Sequence, residues 1–164
     1  VTVIDTPGAE LSQQAEEGAI AGEIARCIAT MTAMTVPTLS VLLGQGCGGG
    51  ALALLPAHTV IATGHAWLSP LPPEGASAIM YRDVDHAPEL ARAQHVRSTD
   101  LRDLGMVDRI VAEKPDGADE PEEFCRRVGE VLRWELGRLH GRDPEDLVRH
   151  RTDRFVRARG PVAT

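Results

Sequence analysis

A run of glycines is the part of this sequence whose composition and spacing could do chemistry. Five of the seven residues from Gly44 to Gly50 are glycine, and the run lies between apolar stretches at 38–43 and 51–55. Glycine costs about 0.5–1 kcal/mol where a side chain would serve, so such a run is typical of backbone that approaches another group closely or adopts positive φ. At the start of a helix, its free N–H groups and the helix dipole would stabilise an anion or a developing oxyanion.

Other glycine-rich sites fit this run less well. A phosphate-binding loop ends in Gly-Lys-Ser/Thr, and no lysine is near the run. A dinucleotide site is matched formally by Gly44, Gly46 and Gly49, but the next acidic residue, Glu74, is too distant for the ribose contact. A catalytic thiol at Cys47 would need a base, and the run contains no histidine. An oxyanion hole of backbone amides is therefore favoured, and a glycine turn that only packs a helix on a strand is the alternative.

Few other side chains suggest catalysis. The three cysteines form no Cys-x-x-Cys pair and are expected to be reduced thiols, so no metal site is predicted. His65 and His86 are expected in loops, without a paired carboxylate. Glu74 follows two prolines that stiffen its position. We expect it either to line a pocket or to favour the start of a helix through the helix dipole.

The composition indicates a soluble globular domain. A chain of 164 residues with 43% hydrophobic and 25% charged residues is typical of one such domain. The net charge of −7 argues against a general nucleic-acid binder. With no membrane span or signal peptide in the sequence, a cytoplasmic location is expected. Ten arginines against six acidic residues at 126–159 are typical of a solvated helical face. Docking to an acidic partner subunit or to the phosphate groups of a ligand is the alternative.

Apolar periodicity predicts alternating strands and helices, and hence an α/β domain with a mostly parallel sheet. The predicted strands are 1–4, 38–43, 59–62, 67–68 and 106–112. The predicted helices are 11–34, 51–55, 76–81, 87–94, 99–104, 122–139 and 144–157. An acidic linker at 113–121 is expected to join a core at 1–112 to a helical extension at 122–164. Because Val1 lies within the first strand, the core is expected to be incomplete at its N-terminus.

Several short motifs follow one another along nearly the whole chain. They are Ile4-Asp5-Thr6-Pro7-Gly8-Ala9, Val36-Pro37, Gly44-Gln45-Gly46-Cys47-Gly48-Gly49-Gly50-Ala51, Pro73-Glu74-Gly75-Ala76-Ser77, Asp85-His86-Ala87-Pro88, Leu104-Gly105-Met106-Val107-Asp108 and Glu145-Asp146-Leu147. This ordered series resembles the carboxyltransferase α subunit of acetyl-CoA carboxylase. The sequence departs from the family pattern at positions 45, 47 and 48, where Gln, Cys and Gly stand in place of the usual Glu, Gly and Ser.

The resemblance implies a crotonase-like (ClpP/crotonase) α/β fold, a spiral of β-β-α units, here with C-terminal helices. It also implies a carboxyltransferase of fatty acid biosynthesis that moves a carboxyl group from carboxybiotin to an acyl-CoA, giving malonyl-CoA from acetyl-CoA. The biotin would be carried on a biotin carboxyl carrier protein, and this chain would hold no metal. Biotin carboxylase and a β-type carboxyltransferase subunit or fused half would be partners in an oligomer. Without the β-type half the chain is expected to be inactive.

The resemblance further implies the residues of the site. The backbone amides of Gly48, Gly49 and Gly50 would stabilise the biotin oxyanion. The residues expected to line the substrate site are Gly8, Gly46, Cys47, Glu74 and Gly75. Two other functions stay open: a non-catalytic interaction subunit that kept the fold, and a crotonase-type enoyl-CoA hydratase or isomerase. The latter would need a carboxylate beside the glycine helix, and residues 51–55 offer none.

Overall fold

A five-stranded sheet forms the centre of the part of the chain that the structure, a computed structural model, describes: residues 1–10 and 12–157. The strands are β1 (Thr2–Thr6), β2 (Leu39–Cys47), β3 (Thr59–Thr63), β4 (Trp67–Ser69) and β5 (Arg109–Val111). They lie in the order β1-β2-β3-β5, all neighbours are parallel, and β4 pairs with the end of β2. The predicted α/β architecture with a parallel sheet is confirmed.

Within the same residues, eight helices connect and cover the strands. They are α1 (Gln13–Glu17), α2 (Ile20–Ala33), α3 (Gly48–Leu54), α4 (Pro73–Tyr81), α5 (Ala87–Ala93), α6 (Ser98–Asp103), α7 (Pro121–Leu139) and α8 (Pro144–Arg157). The two predicted C-terminal helices are confirmed as α7 and α8, whereas Leu11 and residues 158–164 lie outside the described residues. None of these helices combines the length and the apolar character needed to cross a membrane. The division into core, linker and helical extension stays a prediction.

The single helix predicted at 11–34 is wrong, because the chain leaves the helical conformation at Gly18 and Ala19. Ala19 has a φ of +56°, in the left-handed region, and it separates α1 from α2. Glycine is a poor helix former. The apolar spacing that suggested one long helix, from Ile20 to Met31, lies entirely within α2.

β2 extends beyond its predicted end at residue 43, so the first part of the glycine run is strand rather than turn. Its last residues pair with β4. Helix α3 accordingly begins at Gly48, before the predicted start at 51. Helix α4 begins at Pro73 rather than at 76, because proline suits the first turn of a helix.

The amino ends of β2 and β3 are closed by the C-terminal helices. Leu39 at the start of β2 packs against leucines of α7 and α8. Arg151 of α8 is only 1% exposed, and its guanidinium donates to the carbonyl oxygens of Met31 and Met34 at the end of α2. Carbonyl groups at a helix C-terminus have no intrahelical partner and carry partial negative charge, so they compensate the buried cation.

His58 lies between Arg151 and the start of β2, and it is 1% exposed. The Thr38 N–H donates to its Nδ1 at 3.0 Å, and Nη2 of Arg151 is 3.1 Å from its Nε2. Burial, and then the positive charge of Arg151, lower the pKa of His58 to about 4. The ring is therefore neutral at pH 7, and a second ring proton on Nδ1 would displace the hydrogen bond from Thr38.

We expect the free energy of unfolding to decrease as the pH falls from 6.5 toward 4. The unfolded chain, in which the pKa of His58 returns to 6.5, takes up the proton over this range before the folded protein does. This group accounts for at most about 3 kcal/mol of the change. Urea unfolding at several pH values should show a smaller decrease for His58→Gln, whose side chain does not titrate. An identical pH dependence in both proteins would contradict this account.

Candidate active site

β2 changes neighbours along its length. Its first half pairs with β1 and β3, and its last three residues pair with β4. On the β1 side, Ile4 pairs with Leu42, but Thr6 pairs with Gly46, so that Asp5 alone faces three residues of β2. Extra residues on one strand form a bulge, which bends that strand. The bend determines where β2 ends and where α3 begins.

Two glycines at the bend are required by close packing. A Cβ at Gly44 would lie 2.7 Å from Oδ1 of Asp5. A Cβ at Gly46 would lie 2.6 Å from Cδ1 of Leu42 and 2.9 Å from the carbonyl oxygen of Trp67. Real Cβ atoms do not make contacts this short, so a side chain at 46 would collide with the backbone of β4, and one at 44 would displace the exposed carboxylate of Asp5. A role for Gly46 in lining the substrate site stays a prediction.

The rest of the glycine run is the first turn of α3. Cys47 precedes the helix, and its side chain makes no capping hydrogen bond. The N–H groups of Gly48, Gly49 and Gly50 have no acceptor within the helix, as in the first turn of any α-helix. Gly48 has a φ of +63°, which residues with a side chain rarely adopt.

The turn after β1 lies opposite this first turn of α3. The Gly8 N–H donates to Oγ1 of Thr6 at 3.2 Å, and Gly8 has a φ of +128°. A Cβ at Gly48 would lie 3.9 Å from the Cα of Gly8, and a Cβ at Gly50 would lie 3.9 Å from the backbone N of Ala9. Gly8 therefore lies beside the glycine run, and its role in lining the substrate site stays a prediction. The amide of Ala9, which sequence reasoning missed, lies there too.

Gly49 serves the helix packing as well. A Cβ at this position would lie 2.9 Å from Cδ1 of Ile24, so the glycine lets α3 approach α2 closely. Its Cα hydrogens thus face α2, while Gly50 is directed toward the turn after β1. A side chain at Gly50, unlike one at Gly49, would occupy the space between the two backbone segments.

Cys47 forms a buried wall of this space. Its side chain is 1% exposed, and its Sγ would lie 3.6 Å from a Cβ at Gly8. Burial, assisted by the negative charge of Glu74, raises the pKa of the Cys47 thiol. Since only a thiolate is an effective nucleophile, covalent catalysis by this cysteine is disfavoured at neutral pH.

A cavity of about 510 Å³ lies beside the first turn of α4. Glu74 and Pro73 line it from α4, and Trp67, Val96 and Arg97 are among the residues of its other walls. This volume suits a small organic ligand. Neither Gly75 nor the glycines of α3 line the cavity. The negative charge of Glu74, which lines the cavity, helps to raise the pKa of Cys47 at the start of the glycine turn. The cavity and the glycine turn are therefore close enough to interact electrostatically.

Both loop histidines have a carboxylate partner, so the expectation that they lack one is wrong. Nδ1 of His65 is 3.3 Å from Oε2 of Glu113, and Nδ1 of His86 is 3.0 Å from Oδ1 of Asp83. The hydrogen bond to Asp83 raises the pKa of His86. The pair of His65 and Glu113 is separated by 48 residues in sequence, and no local pattern announces it.

His65, Glu113 and Asp116 place their ligand atoms within 4.8 Å of one another. Glu113 is already engaged, because its carboxylate accepts the N–H groups of His65 and Gly117, each at 2.9 Å. These backbone bonds help to lower the pKa of Glu113. The cluster therefore has a structural function in closing the loop, and we assign it no metal.

Comparison with known proteins gives a family match and several relatives. Residues 1–159 match the sequence profile of the family described as acetyl co-enzyme A carboxylase carboxyltransferase-like. The chain is 51% identical to a probable biotin-dependent acyl-coenzyme A carboxylase beta3 subunit of Mycobacterium tuberculosis, over 96% of this chain and 32% of that protein. It is 39% identical to the acetyl-coenzyme A carboxylase carboxyl transferase subunit alpha of Rubrobacter xylanophilus, over 96% of this chain and 49% of that protein. The chain thus spans about a third of the length of the first relative and about half of the second.

Solved structures share the fold. The transcarboxylase 12S hexamer is 26% identical with a TM-score of 0.59, and the match covers 78% of this chain and 26% of that one. A Pseudomonas malonate decarboxylase hetero-tetramer with coenzyme A has a TM-score of 0.72 at 19% identity, over 94% of this chain and 62% of that one. An enoyl-CoA hydratase/isomerase of Marinobacter aquaeolei matches with a TM-score of 0.54 at 15% identity, over 87% and 53%. The expected crotonase-like fold is confirmed.

We expect alanine substitutions to distinguish Gly46, which close packing requires, from Gly50, whose Cβ position makes only ordinary contacts. Gly46→Ala should lower the free energy of unfolding by about 1–3 kcal/mol, because the new Cβ overlaps Leu42 of β2 and Trp67 and Leu68 of β4. Gly50→Ala should leave it unchanged or raise it by up to about 1 kcal/mol, since alanine is the better helix former and the nearest atom is 3.9 Å away. Chemical denaturation measures both effects. Equal losses in the two variants would contradict this assignment.

Proposed function

We propose that this chain, which belongs to the acetyl co-enzyme A carboxylase carboxyltransferase-like family, takes part in carboxyl transfer from carboxybiotin to an acyl-CoA, with acetyl-CoA as the expected acceptor. It would supply the half of the active site that receives biotin. The observation that carries the proposal is the close approach of two backbone segments, residues 8–9 and 48–50: a Cβ at Gly50 would lie 3.9 Å from the backbone N of Ala9.

Backbone N–H groups at this place would stabilise the negative charge that develops during carboxyl transfer. When bound, carboxybiotin supplies an activated carboxyl group, and its departure leaves negative charge on the ureido oxygen. Preorganised N–H donors stabilise such charge without reorganising, and the loss of one donor costs about 2.7–4 kcal/mol in other enzymes. We assign this role to the amides of Gly48, Gly49 and Gly50, and we add the amide of Ala9, which lies opposite Gly50.

The cavity beside α4 is the place we assign to the rest of the biotin group. Trp67 and Val96 give it apolar walls, and Glu74 contributes an acceptor for an N–H group. The buried Cys47 would separate this cavity from the core. No side chain of this half is assigned a proton transfer, because the amides stabilise charge without gaining or losing a proton.

Partner proteins are part of the proposal. The chain spans only 32% and 49% of the two carboxylase relatives described above, and the solved structures that share its fold include a hexamer and a hetero-tetramer. We infer that a β-type carboxyltransferase half binds the acyl-CoA. A biotin carboxyl carrier protein would deliver the carboxyl group loaded by biotin carboxylase. A cytoplasmic location also stays a prediction.

Carboxyl transfer measured with and without a β-type half tests the proposed function. The full-length protein is mixed with malonyl-CoA and free biotin, and formation of acetyl-CoA is followed. We expect turnover only when both halves are present. Hydration of an enoyl-CoA by this protein would favour a hydratase instead. Turnover by the partner half alone, unchanged on adding this protein, would indicate a non-catalytic interaction subunit.

Gly50→Val should remove carboxyl transfer without unfolding the protein. The valine side chain would fill the space between residue 50 and Ala9 and would block access to the amides. We expect kcat/KM to fall by about 100-fold or more in the assembled enzyme. Gly137→Val is the matched control, because Gly137 lies in α7 with nothing within 4 Å of its Cβ position. Full activity of Gly50→Val, or an equal loss in both variants, would contradict the assignment of the amide site.

A further inference from the structure

The bend in β2 is tied to both neighbouring strands by side chains. Oδ1 of Asp5 in β1 accepts the backbone N–H of Gln45 at 2.9 Å. From β3, Oγ1 of Thr63 donates to the carbonyl oxygen of Leu43 at 2.7 Å. Residues in a bulge leave the regular ladder of hydrogen bonds, so side chains must satisfy their backbone groups. The bend is therefore held by a side chain from each neighbouring strand, Asp5 of β1 and Thr63 of β3.

Asp5 and Thr6 act on opposite walls of the amide site. Asp5 binds the N–H of Gln45, close in sequence to the first turn of α3. The adjacent Thr6 accepts the N–H of Gly8 and so shapes the turn that carries Ala9. Two consecutive side chains of β1 thus bind backbone groups next to the two segments that approach each other, residues 8–9 and 48–50.

The carboxylate of Asp5 also explains the residue opposite it. Oδ1 lies 2.7 Å from the Cβ position of Gly44, so the carboxylate reaches Gln45 only because residue 44 has no side chain. Asp5 is itself exposed at the surface and contributes little to the apolar core. Asp5 therefore stabilises the bend of β2 through its hydrogen bond to Gln45, and it does not stabilise the fold by packing in the core.

We propose that Asp5 is a positioning residue of the amide site, which holds the bend of β2 so that the N–H groups of residues 48–50 stay opposite the turn at Gly8 and Ala9. This inference rests on the proposed function for its effect on catalysis. In this proposal Asp5 acts through the backbone of Gln45 and not by contact with biotin or acyl-CoA. A displacement of about 1 Å at a catalytic group is enough to lower a rate about 100-fold.

Three variants of the full-length protein, assembled with the β-type half, test this inference. Asp5→Ala removes the acceptor, and we expect kcat to fall at least 10-fold while KM for the acyl-CoA changes less than twofold. Asp5→Asn keeps an oxygen that accepts the Gln45 N–H, and we expect it to retain kcat within about threefold of the unaltered enzyme. Asp103→Ala, an exposed aspartate in α6, is the control for loss of one negative charge.

Hydrogen–deuterium exchange of the same assemblies gives a readout that does not require activity. In Asp5→Ala, deuterium uptake should rise in a peptide covering residues 43–52, and it should not rise in Asp103→Ala. If the unaltered enzyme transferred no carboxyl group, the proposed function would fail while the exchange data still decided on Asp5. Unchanged uptake in Asp5→Ala, or an Asp5→Asn variant as impaired as Asp5→Ala, would overturn the positioning role.

Discussion

A single strand, β2, must pair with β1, β3 and β4, and it does so only by leaving the regular ladder at the residues opposite Asp5. The bulge bends β2 beside β1, which pairs with it again at Gly46, and β4 takes the place of β3 as the other neighbour. Helix α3 then begins beside the turn that follows β1. The glycines at 44 and 46 allow this bend because no side chain fits there. The close approach of backbone amides at the candidate site is thus a consequence of strand pairing.

The opposite end of the sheet is held by different forces. At the carboxyl ends of β1 and β2, the turn after β1 lies beside the first turn of α3, whereas at the amino ends α7 and α8 close the sheet with buried side chains. There Arg151 is compensated by helix carbonyl oxygens, and burial together with the charge of Arg151 lowers the pKa of His58, which keeps the ring neutral. The candidate site thus lies at the carboxyl ends of the strands, which is where open parallel sheets bind their ligands.

Apolar spacing predicted the parallel sheet, α7 and α8 from the sequence, because those elements bury one face with a regular period. The apolar spacing did not predict the break at Ala19. The regular apolar residues belong to α2, whereas the short helix α1 before it has no buried residue and so no apolar pattern of its own. The glycine run was predicted to form the site, and this stays a prediction; which of its glycines are required by packing depends on distant atoms such as those of Leu68 and Asp5. Ala9 carries no chemical signal, because only its backbone contributes.

The contact between Asp5 and residue 44 limits how this site can change during evolution. With 2.7 Å between Oδ1 and the Cβ position, any side chain at 44 is excluded as long as the carboxylate keeps its place. A larger residue at 44 would displace the exposed carboxylate and break its bond to Gln45. The two positions, far apart in the chain, are therefore expected to be energetically coupled, because a substitution at 44 costs more when Asp5 is present than when it is absent.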